Sequence, residues 1–140
     1  MKVLIDTNII LDFLQQREPF REDAEAIFAA IGNGQIIGYV TATTVTDIFY
    51  IVRKQTKSIE QARLAVIETL KVMQISSVNG PKLEAALASN LKDFEDGVQL
   101  ACAVADNLDA IITRNAKDFS GSSMPILSVR ELLNNIQNDK

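Results

Sequence analysis

The sequence predicts a single α/β domain on a parallel sheet, and three observations predict it. Short apolar runs of strand length recur along the chain, segments of helical period separate them, and the first run ends in a carboxylate. Lys2-Val-Leu-Ile-Asp6 is apolar on successive residues, as a strand covered on both faces is, and a helix is expected directly after it.

The remaining elements follow in order. Ala24, Ile27, Phe28 and Ile31 recur at helical spacing, and Gly32-Asn33-Gly34 ends that helix. Ile36 to Thr41 reads as the second strand, and Val45, Ile48, Phe49 and Val52 mark the next helix. Ser58 to Gln61 is a capping box opening a helix whose inward face is expected at Val66, Leu70 and Met73. Val72 to Val78 holds a short strand. Asn79-Gly80-Pro81 then launches a helix with Leu83, Ala86, Leu87 and Leu91 inward. Val98 to Ala105 is apolar almost throughout, which predicts a helix enclosed on most sides. Asp109 to Thr113 and Pro125 to Ser128 read as the fourth and fifth strands, and Ser128 to Glu131 caps a last helix packed through Val129, Leu132, Leu133 and Ile136. The predicted domain spans residues 1–137, with 138–140 as a tail.

Composition narrows the chemistry. The 140 residues carry 14 Lys and Arg against 18 Asp and Glu, a net charge of −4, and they include no His, no Trp and one Cys. The absence of imidazole removes Ser-His-Asp and Cys-His catalysis, imidazole bases and His-bearing zinc sites. A single thiol forms no internal disulfide and no Cys-rich metal site, so Cys102 reads as a small buried apolar residue. Any bound metal must then be held by oxygen, which selects Mg²⁺ or Mn²⁺. No signal-like segment opens the chain and no apolar run approaches the ~18 residues of a membrane span, so a cytoplasmic setting is expected.

In a parallel α/β sheet the functional crevice lies beyond the carboxyl ends of the strands. Asp6 falls there, followed by Thr7 and Asn8, short polar residues able to hold a carboxylate; its plainer role is an N-cap. Asp93, Glu95 and Asp96 stand at the start of the enclosed helix, where capping accounts for one acid readily and for three poorly. Asp96 projects along the face of Leu100 and Ala103 with no basic residue nearby. At the end of the fourth strand, Thr113, Asn115 and Asp118 can reach the crevice, while Arg114 and Lys117 supply positive charge suited to a phosphodiester. Asp47 lies opposite an apolar stripe, beside Tyr50, Ile51 and Lys54, and by itself reads as a solvated helix residue. Carboxylates gathered from three segments are favourable together when divalent cations compensate their charge, and such cations activate water and stabilise a departing phosphodiester oxygen.

Val3-Leu-Ile-Asp-Thr-Asn8, Asp93-Phe-Glu-Asp96 before an Ala-rich helix, and Ile112-Thr-Arg-Asn-Ala-Lys-Asp-Phe119 together resemble the PIN domain, especially VapC-like toxin ribonucleases. The likeness covers nearly the whole chain in order. It implies a five-stranded parallel sheet and an RNA endonuclease dependent on Mg²⁺ or Mn²⁺. Asp6 and Asp96 would be its metal ligands, with Asp47 at the second acidic position. It also implies a homodimer and, for a toxin, an antitoxin partner.

Two positions depart from the family pattern: Asp47 stands where Glu is common, and Asn115 where a fourth acid often falls, with Asp118 as a compensating carboxylate. The alternative reading is therefore a catalytically weak or inactive domain of this fold that binds RNA or protein. A phosphorelay receiver would need an acidic pair after the first strand, and a haloacid-dehalogenase-like phosphatase a second Asp at position 8; both are ranked lower. Candidate site residues are thus Asp6, Asp47, Asp96, Asn115 and Asp118 for catalysis, supported by Asn8 and Thr113. Tyr50, Lys54, Arg114 and Lys117 are the candidates for the RNA path.

Overall fold

A computed structural model describes residues 1–138 as five parallel strands, β1 (Lys2–Ile5), β2 (Ile37–Thr41), β3 (Gln74–Ser76), β4 (Ala110–Ile112) and β5 (Ile126–Leu127), in the order β3-β2-β1-β4-β5. The helices are α1 (Thr7–Leu14), α2 (Arg21–Gly32), α3 (Ala42–Thr56), α4 (Ile59–Val72), α5 (Gly80–Ala88), α6 (Phe94–Ala105) and α7 (Val129–Asn138), with a 3₁₀ turn at Ala116–Phe119. The fold class and the order of elements agree with the sequence reading. α7 runs through Asn138; the rest of the expected tail, Asp139 and Lys140, lies outside the described residues. Among the described residues, no helix is long and apolar enough to cross a membrane.

Strand alternation sorts the core into two sides. Val3, Ile5, Val40, Ala110 and Ile112 pack with residues of α1, α2, α3, α4 and α7, whereas Leu4 and Ile111 pack with Ala103, Leu108 and Phe119 on the side that α6 covers. A third cluster, Ala86, Val98 and Cys102, joins α5 to α6. Two helices enter this scheme differently from expectation. In α4 the inward residues are Ala62, Ala65 and Thr69, while Leu70 is exposed together with Leu64 and Ile67. α4 packs against α3, and the residues it buries are small. In α5, Ala86 and Lys82 face inward and Leu83 and Leu87 face solvent. Buried Lys82 is satisfied by the Ser77 carbonyl at 2.6 Å and by Asp106 at 3.1 Å, and Asp106 also accepts a short hydrogen bond from Ser76. That network ties α5 to the β3 edge and to the end of α6.

The caps follow the sequence closely. Ser58 Oγ accepts from Gln61 N–H, and Ser128 and Glu131 form a reciprocal capping box. From β1 the chain first builds outward through β2 and β3, then returns to place β4 on the other flank of β1. The switch point of the sheet is therefore the gap between β1 and β4, and the crevice beyond their carboxyl ends is where a site is expected.

Candidate active site

Asp6 directly follows β1 and Thr113 directly follows β4. The register Leu4 to Ile111 and Ile5 to Ile112 sets these two residues side by side on the face that α6 covers. Thr113 Oγ1 donates to Asp6 Oδ2 at 2.8 Å, and Gln99 Nε2, from α6, donates to Asp6 Oδ1 at 3.1 Å. Asp6 occupies the N-cap position of α1 yet makes no side-chain capping bond, so its carboxylate serves the crevice and not the helix. Asp93, by contrast, does cap: its Oδ1 accepts from Asp96 N–H at 3.1 Å. Capping accounts for one acid of that cluster and leaves Glu95 and Asp96 to the crevice.

The crevice is an acidic pocket of about 260 Å³ walled by Asp6, Asn8, Asp47, Asp93, Glu95, Asp96, Gln99, Asn115 and Asp118. Asp47 reaches it from α3, whose entry is fixed by Thr41 Oγ1 capping Thr44 N–H and by Thr44 Oγ1 bonding Thr7 Oγ1 at 2.9 Å. One turn beyond Thr44, Asp47 is half-buried at the pocket wall with Ile51 and is not a freely solvated residue. Glu95, which the sequence places in the acidic cluster at the start of α6 but not among the catalytic candidates, shares a hydrogen bond with Asp47. Burial pushes both carboxyls above the usual range, and for Glu95 the charge of Asp47 adds to it. Asp96 is pushed up to about 7, first by burial and then by the charges of Asp93, Asp6, Asp118 and Glu95. A carboxyl there would rather keep its proton at neutral pH unless positive charge enters the pocket.

The basic candidates separate. Lys117 lines a cavity of about 360 Å³ that adjoins the pocket, shares Asp93, Asp96 and Asp118 with it, and also contains Lys92. Tyr50 and Lys54 lie exposed on α3 one and two turns past Asp47, outside the pocket wall. Arg114 is turned away from it. One residue beyond Thr113 the alternation reverses, and the Arg114 guanidinium pairs with buried Asp12 at 2.8 and 3.3 Å and lies 3.7 Å over the Phe20 ring. Asp12 and Gln99 are not among the candidates that the sequence supplies. Their signal was a polar residue inside an apolar helical run, Ile9 to Leu14 and Val98 to Ala105 respectively.

The donor set suits a hard divalent cation, since every group in the pocket that could ligate offers oxygen. Among the described residues no three acidic side chains stand as a ready-made metal cage. Mg²⁺ does not require one, because it keeps several waters and binds through one or two carboxylates together with substrate phosphates. Asp6, fixed by two donors, and Asp96, starved of positive charge, meet that requirement.

A family model for the PIN domain matches residues 2–117. A search of curated protein sequences finds no match. Solved structures share the fold. A toxin–antitoxin complex from Klebsiella pneumoniae superposes with a TM-score of 0.68 at 23% identity, over 91% of this chain and 97% of that one. VapBC2 from Rickettsia felis, bound to a promoter DNA fragment, gives 0.64 at 16% over 91% and 98%. The Mycobacterium tuberculosis toxin VapC20, which cleaves the sarcin–ricin loop, gives 0.65 at 13% over 78% and 86%.

Proposed function

Because the chain belongs to the PIN domain family, we propose that it is a Mg²⁺- or Mn²⁺-dependent endoribonuclease and the toxin of a toxin–antitoxin pair. The observation that carries this reading is Asp6, buried at the switch point of the sheet and gripped by Thr113 and Gln99 inside a pocket of further carboxylates. Asp6 and Asp96 are the residues that would hold the metal. When bound, the cation supplies Lewis acidity at a phosphate oxygen and acidifies water for attack on phosphorus.

The remaining residues orient and neutralise. Thr113 fixes Asp6 and, by accepting from Asn115 N–H at 3.0 Å, also fixes the loop that brings Asn115 and Asp118 to the pocket. Glu95 and Asp47 share a hydrogen bond and both carboxyls are raised by burial, so this pair can release a proton when cationic charge arrives or return one to a leaving oxygen. Lys92 and Lys117 receive the flanking phosphates. Tyr50 and Lys54 extend the RNA path along α3. The chain acts in the cytoplasm as a homodimer, and an antitoxin covers the pocket, as suits relatives crystallised as toxin–antitoxin complexes.

The test incubates the purified protein with structured RNAs and Mn²⁺, with and without EDTA, beside Asp6→Asn. Cleavage by the wild type that EDTA and the substitution both abolish is expected. Cleavage that survives either one overturns the mechanism. No cleavage across diverse RNAs, with RNA binding retained, favours the inactive binding module, a reading that Asn115 and the lack of a ready-made cage among the described residues support.

A further inference from the structure

Gln99 is 6% exposed in the middle of α6, and its two amide atoms fare differently. Nε2 donates to Asp6 Oδ1 at 3.1 Å, whereas Oε1 is fully buried and has no hydrogen-bond partner among the described residues. Reversing the amide would not relieve this. A carboxylate only accepts, so the nitrogen must face Asp6 and the oxygen must take the other position. A buried amide oxygen left without a donor costs free energy that offsets what the bond from Nε2 to Asp6 contributes. Gln99 also belongs to the wall of the acidic pocket. An amide retained at that cost is retained for the hydrogen bond that its nitrogen gives Asp6.

We propose that Gln99 is the positioning residue of this site: Nε2 fixes the direction of the Asp6 carboxylate toward the divalent cation, and the orphaned Oε1 marks the amide as kept for that contact and not for packing. The inference rests on the metal-binding reading of the pocket. It deepens that reading by making the amide, and not only the acids, a determinant of cation affinity. Hydrogen bonding of this kind around a metal's direct ligands is worth roughly 10-fold to 100-fold in affinity. The same geometry requires the amide to contribute little to the stability of the metal-free fold.

The experiment titrates Mn²⁺ into wild-type protein, Gln99→Met and Gln99→Glu at pH 8, reading free Mn²⁺ by electron paramagnetic resonance and the melting temperature with and without EDTA. For Gln99→Met the expected result is Mn²⁺ binding weakened about 10-fold or more, with a melting temperature in EDTA close to that of the wild type, because the lost donor to Asp6 and the relief of Oε1 offset each other. Gln99→Glu, which sets a further carboxylate against Asp6, is expected to melt lower in EDTA and to gain more from Mn²⁺ than the wild type does. Wild-type affinity in Gln99→Met overturns the inference and leaves the metal site standing. So does a marked loss of stability in EDTA for that variant, which would make Gln99 a structural residue, and so does a Mn²⁺ gain in Gln99→Glu no larger than that of the wild type. Failure of the wild type to bind Mn²⁺ removes the metal reading itself and the inference with it.

Discussion

Arg114 donates two hydrogen bonds to the buried carboxylate of Asp12, at 2.8 and 3.3 Å, while the adjacent Thr113 donates to Asp6 on the other side of the sheet. The two residues divide the work of one strand end: Thr113 serves the pocket, and Arg114 anchors the loop to α1. Removing the guanidinium would strand a charge that is 1% exposed. Arg114→Met should therefore lower stability by about 3 kcal/mol, toward the low end for a broken buried pair because Arg114 itself is partly exposed. Urea denaturation checks this. Asp12→Leu combined with Arg114→Met should recover most of the loss, and a double variant no more stable than the single one would contradict the assignment.

A second expectation concerns pH. The Asp96 carboxyl rises from an ordinary 3.8 to about 7 in the folded protein, and Asp47 and Glu95 shift in the same direction. The folded state thus binds more protons than the unfolded state between about pH 4 and 7. This contribution to stability is fully present below pH 4 and is lost as pH rises through 7. In EDTA the melting temperature should fall across that interval through these groups, and Asp96→Asn should flatten the fall. At pH 8, Asp96→Asn should melt above the wild type, and Mn²⁺ should reverse that order by stabilising only the wild type strongly. Thermal scans from pH 4 to 8, with and without Mn²⁺, decide it.

How much of this was legible in the sequence depends on whether the signal was local. Asp6, Asp96 and Asn115 could be placed because strand ends and helix starts are written in short windows, and a parallel sheet gathers them at one edge. The direction of Arg114 could not, since it depends on Thr113 pointing to α6, which only the register of β4 against β1 decides. Gln99 looked like one position in an apolar run, and its meaning depends on Asp6, 93 residues away. α4 misled for a related reason. Its large residues satisfy a helical period, but the face that α4 buries carries Ala62, Ala65 and Thr69 and leaves Leu64, Ile67 and Leu70 exposed. Periodicity identifies a helix correctly while leaving open which side its neighbour covers.

If RNA follows the pocket and its adjoining cavity, the basic residues should differ in a measurable way. With Asp6→Asn as a non-cleaving background, Lys117→Gln and Lys92→Gln should each weaken RNA binding and reduce the slope of log affinity against log salt by about 0.7, the loss of one phosphate contact to a single strand. Arg114→Met should leave the slope unchanged, because its charge is spent on Asp12. Tyr50→Ala should weaken binding by about 1–3 kcal/mol with no change of slope if a base stacks on the exposed ring. Filter binding at several salt concentrations separates these outcomes. An Arg114 slope change as large as that of Lys117 would return Arg114 to the RNA path.

The last prediction links packing to the site. Gly97 follows Asp96 and precedes Gln99 by two positions, and a Cβ there would lie 3.0 Å from the Ala86 carbonyl oxygen and 3.1 Å from Ser89 Oγ. The nearer atom is backbone of α5, so α6 must shift by tenths of an ångström to admit a methyl group. Overpacking of this kind costs roughly 1–3 kcal/mol, against about 1 kcal/mol gained from the helix preference for Ala over Gly. Gly97→Ala should therefore be destabilised by about 1 kcal/mol net. It should also bind Mn²⁺ more weakly, since the displaced turn carries both Asp96 and Gln99. Gly32→Ala is the control: it too lies in a helix, nothing stands within 4 Å of its Cβ, and it does not line the pocket. It should be neutral or stabilising by up to about 1 kcal/mol and leave Mn²⁺ affinity unchanged. Urea denaturation and Mn²⁺ titration of the two variants test both halves. Equal behaviour of Gly97→Ala and Gly32→Ala would show that α5 and α6 do not set the position of the metal-binding turn.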